Sequence, residues 1–345
     1  MRRLHFDALK PACPTCRRAL LALEPGAESA DDTIRSGLLR CQDNACGERF
    51  PIIAGTPVLV PNLAGWLSAN LHLMLESDID VAVVESVVGA VVGPESAYNI
   101  ARQQQSSYAH DHYGDLFEAD PDAGTVSPGG VRRCLDRALR HLGPVRGPVL
   151  DVGCAVGRTS FDIAAACDGP VLGVDLNWPL LRIGRGVLDR GLLRYPLRRL
   201  GNRYDRRDTH FSPPEGARVD FWVIDAQALP FADNTFDLVV ALNVLDCVPD
   251  PTQLVVEISR VAAPGGGVAL AAPLDWAPHA TPYPAWLDSP AAFENMVARA
   301  SRAAPGAKPL TPLAPAFNLP WAVRLHDNAT VTYKTQLLTL TAAET

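Results

Sequence analysis

Val149–Phe161 reads VLDVGCAVGRTSF, and this stretch decides the fold. GPVLDVG is apolar and bounded by glycine, as a short buried strand is, and RTSFDIAAAC reads as the helix that follows. Strand, glycine loop and helix form the entry unit of a Rossmann-like α/β fold. A dinucleotide loop has the form GxGxxG. Here the order is Gly153-x-Ala155-x-Gly157, and the place of the third fingerprint glycine is taken by Arg158. The loop has room for a close backbone approach to a ligand, but not the spacing that wraps a pyrophosphate.

The chain beyond the loop continues the pattern. PVLGVDL is a second strand that ends near Asp175, 22 residues after Gly153, where an acid commonly accepts both ribose hydroxyls. VDFWVID ends at Asp225 and is followed by Ala226; FDLVVALN ends at Asn243. EISRVAAPGGGVALAAP reads as helix, Pro-Gly-Gly turn and fifth strand. WAVRLHD and TVTYKTQLLTL then complete a seven-stranded sheet whose last strand is antiparallel. Taken singly, Asp151, Asp175 and Asp225 have structural alternatives: a carboxylate beside a helix, a strand-end cap and a turn residue. Their joint placement at three strand ends favours a ligand site.

From Pro148 through Pro273 this order resembles the class I S-adenosylmethionine-dependent methyltransferases. The resemblance implies that Gly153, Cys154, Ala155 and Gly157 pass beneath the methionine part of the cofactor, with Asp151 engaging its amine. It further implies Asp175 and Leu176 on the ribose, Asp225 and Ala226 at the adenine edge, and Asn243 beside the cofactor. S-adenosylmethionine has no phosphate, which is why Ala155 can replace the middle glycine. Asn243 and Asp246, in ALNVLDCV, are the catalytic candidates. Asp246 would accept a proton or bind a substrate amine; its structural alternative is a helix N-cap. Cys154 otherwise reads as loop packing, and Cys134, Cys167 and Cys247 as residues without chemistry.

Patches between about Tyr108 and Trp286 are similar to the methyltransferase part of ovothiol synthase: GCAVGR with its Ser-Phe helix start, Asn-x-x-Asp after strand four, HYGD at His112–Asp115 and APLDW at Ala272–Trp276. This implies a small polar acceptor such as an imidazole- or thiol-bearing histidine derivative, with His112, Tyr113 and Trp276 as substrate contacts. Trp276, Tyr283 and Trp286 would line the pocket or merely pack it, beneath a proline- and alanine-rich cover. The competing class is an RNA methyltransferase. Arg182, Arg185, Arg190, Arg194, Arg198, Arg199, Arg203, Arg206 and Arg207 occupy a long connection that would track phosphates, or form a solvated helix paired with acidic neighbours. A third class is a partner-binding module docking through its N-terminal segment.

That segment contains four of the eight cysteines in its first 46 residues. Cys13-Pro-Thr-Cys16 is a knuckle, Cys41 and Cys46 form a wider pair with four residues between, and 24 residues separate the pairs. Four thiolates in so small a segment point to a closed structural zinc site. From about Leu9 to Pro61 the segment resembles the zinc-ribbon activator of some tRNA and translation-factor methyltransferases, through the CPxC knuckle and the run Phe50, Pro51, Ile52, Gly55, Pro57 and Leu59. The second pair is wider here than is usual in that domain.

The expected organisation is a zinc ribbon over 1–62, a helical linker with a candidate lid over 63–130, and a methyltransferase domain over 131–345. The formal net charge of −7 argues against bulk nucleic-acid binding. MRRLHFDALKPACPTC has no apolar run behind its basic start, and the paired thiols suit a reducing setting, so the expectation is a cytoplasmic protein. VAVVESVVGAVVG, from Val81 to Gly93, is 13 residues long and contains Glu85. That is too short to span a bilayer, and a buried or interface helix is expected.

Overall fold

A computed structural model describes residues 1–75, 82–118, 127–213, 215–303 and 305–344. The N-terminal segment comprises α1 (Arg3–Leu9), β1 (Leu21–Leu23), β2 (Glu28–Ala30), β3 (Thr33–Cys41), β4 (Arg49–Ile53) and β5 (Thr56–Leu59). The helices α2 (Leu63–Leu75), α3 (Ala82–Val92) and α4 (Ala97–Tyr113) follow, the last two separated at Gly93-Pro94. Val81, which begins the apolar run, and residues 119–126 of the expected helical linker lie outside the described residues. The apolar run is helical but not buried: Val91 of α3 is 80% exposed and Val83 67%. Among the described residues no helix is long and apolar enough to cross a membrane.

The remainder alternates strand and helix. It runs α5 (Gly130–Leu142), β6 (Val149–Val152), α6 (Arg158–Ala166), β7 (Val171–Asp175), α7 (Trp178–Arg190), β8 (Leu192–Arg198), β9 (Tyr204–His210), β10 (Val219–Ile224) and β11 (Phe236–Leu242). It ends with α8 (Pro251–Val261), β12 (Ala262–Ala272), α9 (Pro290–Ala300), β13 (Leu310–Pro312), β14 (Phe317–His326) and β15 (Ala329–Ala342). Helix starts follow local chemistry. Asn177, Asp250 and Ser289 cap α7, α8 and α9, each with a proline in the first turn, where a missing N–H costs nothing. α5 starts on a long-range cap: the buried Asp111 carboxylate accepts from Gly130 N (2.6 Å), Val131 N (3.1 Å) and the Trp321 indole (3.0 Å).

The expected seven strands lie in the order β10-β7-β6-β11-β12-β15-β14, parallel through β12 and antiparallel at β15. Their central members are buried on both faces, as parallel strands covered by helices must be. The sheet does not stop there. β1, β3, β4 and β5 continue it, because β5 pairs in parallel with β10 through Val58↔Val223 and Ile224↔Leu59. A boundary at residue 62 therefore follows a strand that belongs to both parts. Ala12 N donates to Pro230 O (2.7 Å), and Arg17 reaches the buried Glu257 (2.8 Å), fastening the same face.

The arginine-rich connection corrects the sequence reading. Arg182, Arg185 and Arg190 lie on α7, but the rest form the antiparallel hairpin β8–β9 rather than a helix. The expected pairing with acidic groups is present at several positions: Arg185–Asp220, Arg194–Asp208, Arg199–Asp205 and Arg206–Glu85, at 2.6–2.9 Å.

Candidate functional site

The glycine loop sits between β6 and α6 with three consecutive demands on backbone geometry. Gly153, Ala155 and Gly157 have φ of 69°, 49° and 84°. A side chain at Gly157 would strike the Phe221 ring, and one at Gly153 would strike Val244. The glycines are therefore required twice over, by conformation and by space. Ala155 occupies the left-handed region with a β-carbon, at a cost of about 1 kcal/mol. Its amide is spent on Asp175 Oδ2 (3.0 Å), while Asn177 N donates to Asp175 Oδ1 (2.8 Å). The Asp175 carboxylate thus ties the loop to the end of β7. Burial raises its pKa despite those amides. Leu176 beside it is 42% exposed.

Asp151, under the loop, is 2% exposed and accepts from Thr159 Oγ1 (2.7 Å) and Ser160 Oγ (2.6 Å). Its carboxylate is anchored to the first turn of α6, as its structural alternative supposed. Burial pushes it up to about 6, opposed by the two hydroxyls. Cys154 is buried in the loop. Asp225 ends the next strand and accepts from Gln227 N (2.9 Å), shaping the turn through Ala226. The three aspartates thus stand at the ends of β6, β7 and β10, which are neighbours in the sheet.

Asn243 and Asp246 stand at the end of β11, on the segment whose Val244 lies against Gly153. Asn243 has φ of 58°, donates its backbone amide to Ala271 O (2.8 Å), and has a buried Oδ1 with no hydrogen-bond partner among the described residues. Asp246 is 2% exposed and accepts from Asp275 N (2.9 Å). Burial pushes its carboxyl up to about 6, opposed by hydrogen bonds from its own amide and that of Asp275. The helix-cap alternative for Asp246 does not hold: the cap of α8 is Asp250, which accepts from Thr252 N and Gln253 N. The proline-rich segment does cover this turn, through Ala277 N and Thr281 Oγ1 on Asp246 O.

The expected substrate contacts fare differently. Tyr113 is fully buried and donates its hydroxyl to Val156 O (2.9 Å), so it supports the loop from below rather than facing a substrate. His112 is buried too; burial, with Arg158 nearby, pushes its imidazole down to about 3. Trp276 stacks on Trp286 (6.3 Å between centroids) and donates to Leu287 O (3.0 Å). Trp286 donates to Thr281 O (2.8 Å). These indoles pack the cover. The sequence reading missed Tyr108 and Tyr333. The Tyr108 phenol has Asp175, Asp246, Cys247 and Tyr333 as ionisable neighbours, and Tyr333 lies within hydrogen-bonding reach of Asp275. Tyr108 lies on α4, one turn before His112. No local signal marks Tyr333, which reaches the site by strand pairing.

In the N-terminal segment, Cys13, Cys16, Cys41 and Cys46 converge, with their sulfurs all within 4.8 Å of one another. Cys13–Cys46 and Cys16–Cys41 are 3.8 and 3.7 Å apart. A tetrahedron with metal–sulfur bonds of about 2.3 Å has edges of about 3.8 Å, so the donor set fits a tetrahedral ion.

Parallel sheet, glycine loop and strand-end carboxylates define a Rossmann-like methyltransferase fold. Residues 150–270 match the family described as a methyltransferase domain. This stretch is thus similar to S-adenosylmethionine-dependent methyltransferase domains. Among curated relatives, the methyltransferase GfsG of Streptomyces halstedii is 30% identical over 166 residues, which is 46% of this chain and 49% of that one. Norajmaline N-methyltransferase of Rauvolfia serpentina is 28% identical over 166 residues, covering 45% and 49%. The chain thus spans about half the length of these relatives. Among solved structures, the YcgJ protein of Bacillus subtilis aligns over 62% of this chain and 100% of its own, at 13% identity and a TM-score of 0.43.

Proposed function

We propose that this protein transfers the methyl group of S-adenosylmethionine to a small polar molecule. The observation that carries the reading is the set of three carboxylates at adjacent strand ends around a glycine loop that lacks dinucleotide spacing. Gly153 to Gly157 would lie beneath the methionine part, Asp175 would hold the ribose, and Asp225 with Ala226 would meet the adenine. When bound, S-adenosylmethionine supplies an activated sulfonium methyl. The residues of the chain then need chiefly to orient the acceptor and exclude water. Asp246 would hold or deprotonate an acceptor nitrogen, with Asn243 beside it. The patchwise resemblance to the ovothiol-synthase methyltransferase favours a histidine-derived acceptor, and similarity to a relative named norajmaline N-methyltransferase supports transfer to a nitrogen.

The four cysteines would hold one structural zinc ion, leaving no open position for chemistry. An RNA acceptor has weaker support, because several arginines of the long connection are engaged with carboxylates of the same chain. The deciding experiment is transfer from labelled cofactor into two pools, a small-metabolite extract and total cellular RNA. The reading expects label in the metabolites. Label in RNA, lost with rising salt and with charge reversal at Arg198 and Arg207, would overturn it.

A further inference from the structure

A second enclosure lies apart from the glycine loop. There α7 meets α4, the hairpin β8–β9 and the end of the cysteine-bearing segment around a cavity of about 520 Å³, a size that suits a small molecule. None of Asp151, Gly153, Asp175, Asn243 and Asp246 is among the described residues that line it. Ile53, Met74, Trp178, Ile183, Leu192 and Tyr195 give it apolar walls. Its charged lining, among the described residues, is seven arginines with the carboxylates of Glu85 and Asp189. Both carboxylates are shared. Glu85 lies 2.9 Å from Arg206 and 3.5 Å from Arg102; Asp189 lies 2.6 Å from Arg35 and 3.7 Å from Arg185.

Arg102, on α4, is held with little compensation. It is 3% exposed, and its Nε contact with Glu85 is an ion pair without a hydrogen bond. That same carboxylate already accepts from Arg206. The other contacts of the Arg102 guanidinium are neutral: the Asn99 amide oxygen at 3.2 Å, and the Tyr98 and Tyr204 rings at 5.3 and 3.9 Å. A buried charge is costly unless it is paired, and guanidinium groups are suited to recognising anions. A negative group entering the cavity would supply the missing counter-charge, and the apolar walls would take up the rest of the molecule. A cation would be repelled, and a wholly apolar molecule would leave Arg102 as it is.

We propose that this cavity is a ligand site separate from the glycine loop, for an organic anion that joins a carboxylate, sulfonate or phosphate group to an apolar body. Arg102 and Arg206 meet the charge, and Trp178 and Tyr195 flank the body. The proposal does not depend on the methyl-transfer reading.

The test uses two fluorescent probes on the full-length protein. They are 8-anilinonaphthalene-1-sulfonate and N-phenyl-1-naphthylamine, which is the same aromatic body without the sulfonate. The sulfonate is expected to bind at one equivalent, tighter than the neutral probe by roughly tenfold. Arg102→Gln should bring the two affinities to within about twofold of each other. Ala101→Trp, which fills the cavity from α4 and leaves its charges in place, should weaken both probes by roughly tenfold, and it carries the test if Arg102→Gln does not fold. Equal affinities in the unaltered protein, a gap that survives Arg102→Gln, or sulfonate binding undiminished in Ala101→Trp overturns the proposal. Displacement of the sulfonate by S-adenosylhomocysteine also overturns it, because the probe would then occupy the glycine-loop site.

Discussion

Replacing Asp246 by Asn should make this protein more stable at neutral pH, and by an amount the structure sets. Asp246 is 2% exposed, and its carboxyl is raised from 3.8 to about 6, chiefly by burial. The sign follows from linkage. A folded-state pKa above the unfolded value gives stability that is complete below the unfolded value and is lost as pH rises through the folded one. At pH 8 the loss amounts to about 3 kcal/mol, and at pH 5 to about 1.6 kcal/mol, at 1.36 kcal/mol per unit. Asparagine removes the charge and keeps an oxygen for the Asp275 amide (2.9 Å in the parent). Asp246→Asn should therefore gain up to about 3 kcal/mol at pH 8 and about half of that at pH 5. Urea denaturation of both proteins at the two pH values, with ellipticity as the readout, measures the difference. A variant no more stable than the parent at pH 8, or one whose gain does not change with pH, refutes the argument that this carboxylate is held charged against its surroundings.

Four further outcomes are expected. Gly157→Ala must place a β-carbon at φ 84° against the Phe221 ring and should cost on the order of 2 kcal/mol in thermal unfolding; an unchanged melting temperature would show the loop to be free to relax. Asp111→Ala strands the donors at the start of α5 and the Trp321 indole, with an expected loss of about 3 kcal/mol, read by urea denaturation. Asp175→Ala should weaken S-adenosylmethionine binding by on the order of 2–3 kcal/mol in calorimetry, and tight NAD binding in its place would reassign the loop. Elemental analysis should return about one zinc per chain, falling to near zero in Cys41→Ser; a folded parent protein purified without chelator but with far less metal would count against the site.

The sequence spoke clearly where function depends on neighbours in the chain. The loop from Gly153 to Gly157, the acids at strand ends and the two cysteine pairs are short-range patterns, and the structure places them at adjacent strand ends and in one sulfur cluster. It spoke poorly where the answer lies in distant pairing. β8 and β9 carry so many arginines that their alternation is masked; the hairpin is supported by partners such as Glu85 and Asp208, which no local window relates to it. His112 and Tyr113 look like site residues because they are polar and aromatic, yet which face of α4 turns inward is settled by α5, β8 and β14 packing against it. Asp246 and Asp250 are both plausible helix starters in LDCVPDP. Asp250 alone directly precedes the proline of the first turn, and it takes the cap.

The parallel pairing of β5 with β10 has a consequence for solubility. Without it, β10 would be the last strand on its side of the seven-stranded core, presenting Phe221 and Val223 on a row of unpaired amides and carbonyls. Such a rim is a template for adding foreign strands. The cysteine-bearing segment retires that template by moving the rim out to β1, a strand of three residues, too short to recruit a partner of any length. Its service to the domain is in part that of a guard against self-association, independent of any ligand it helps to bind.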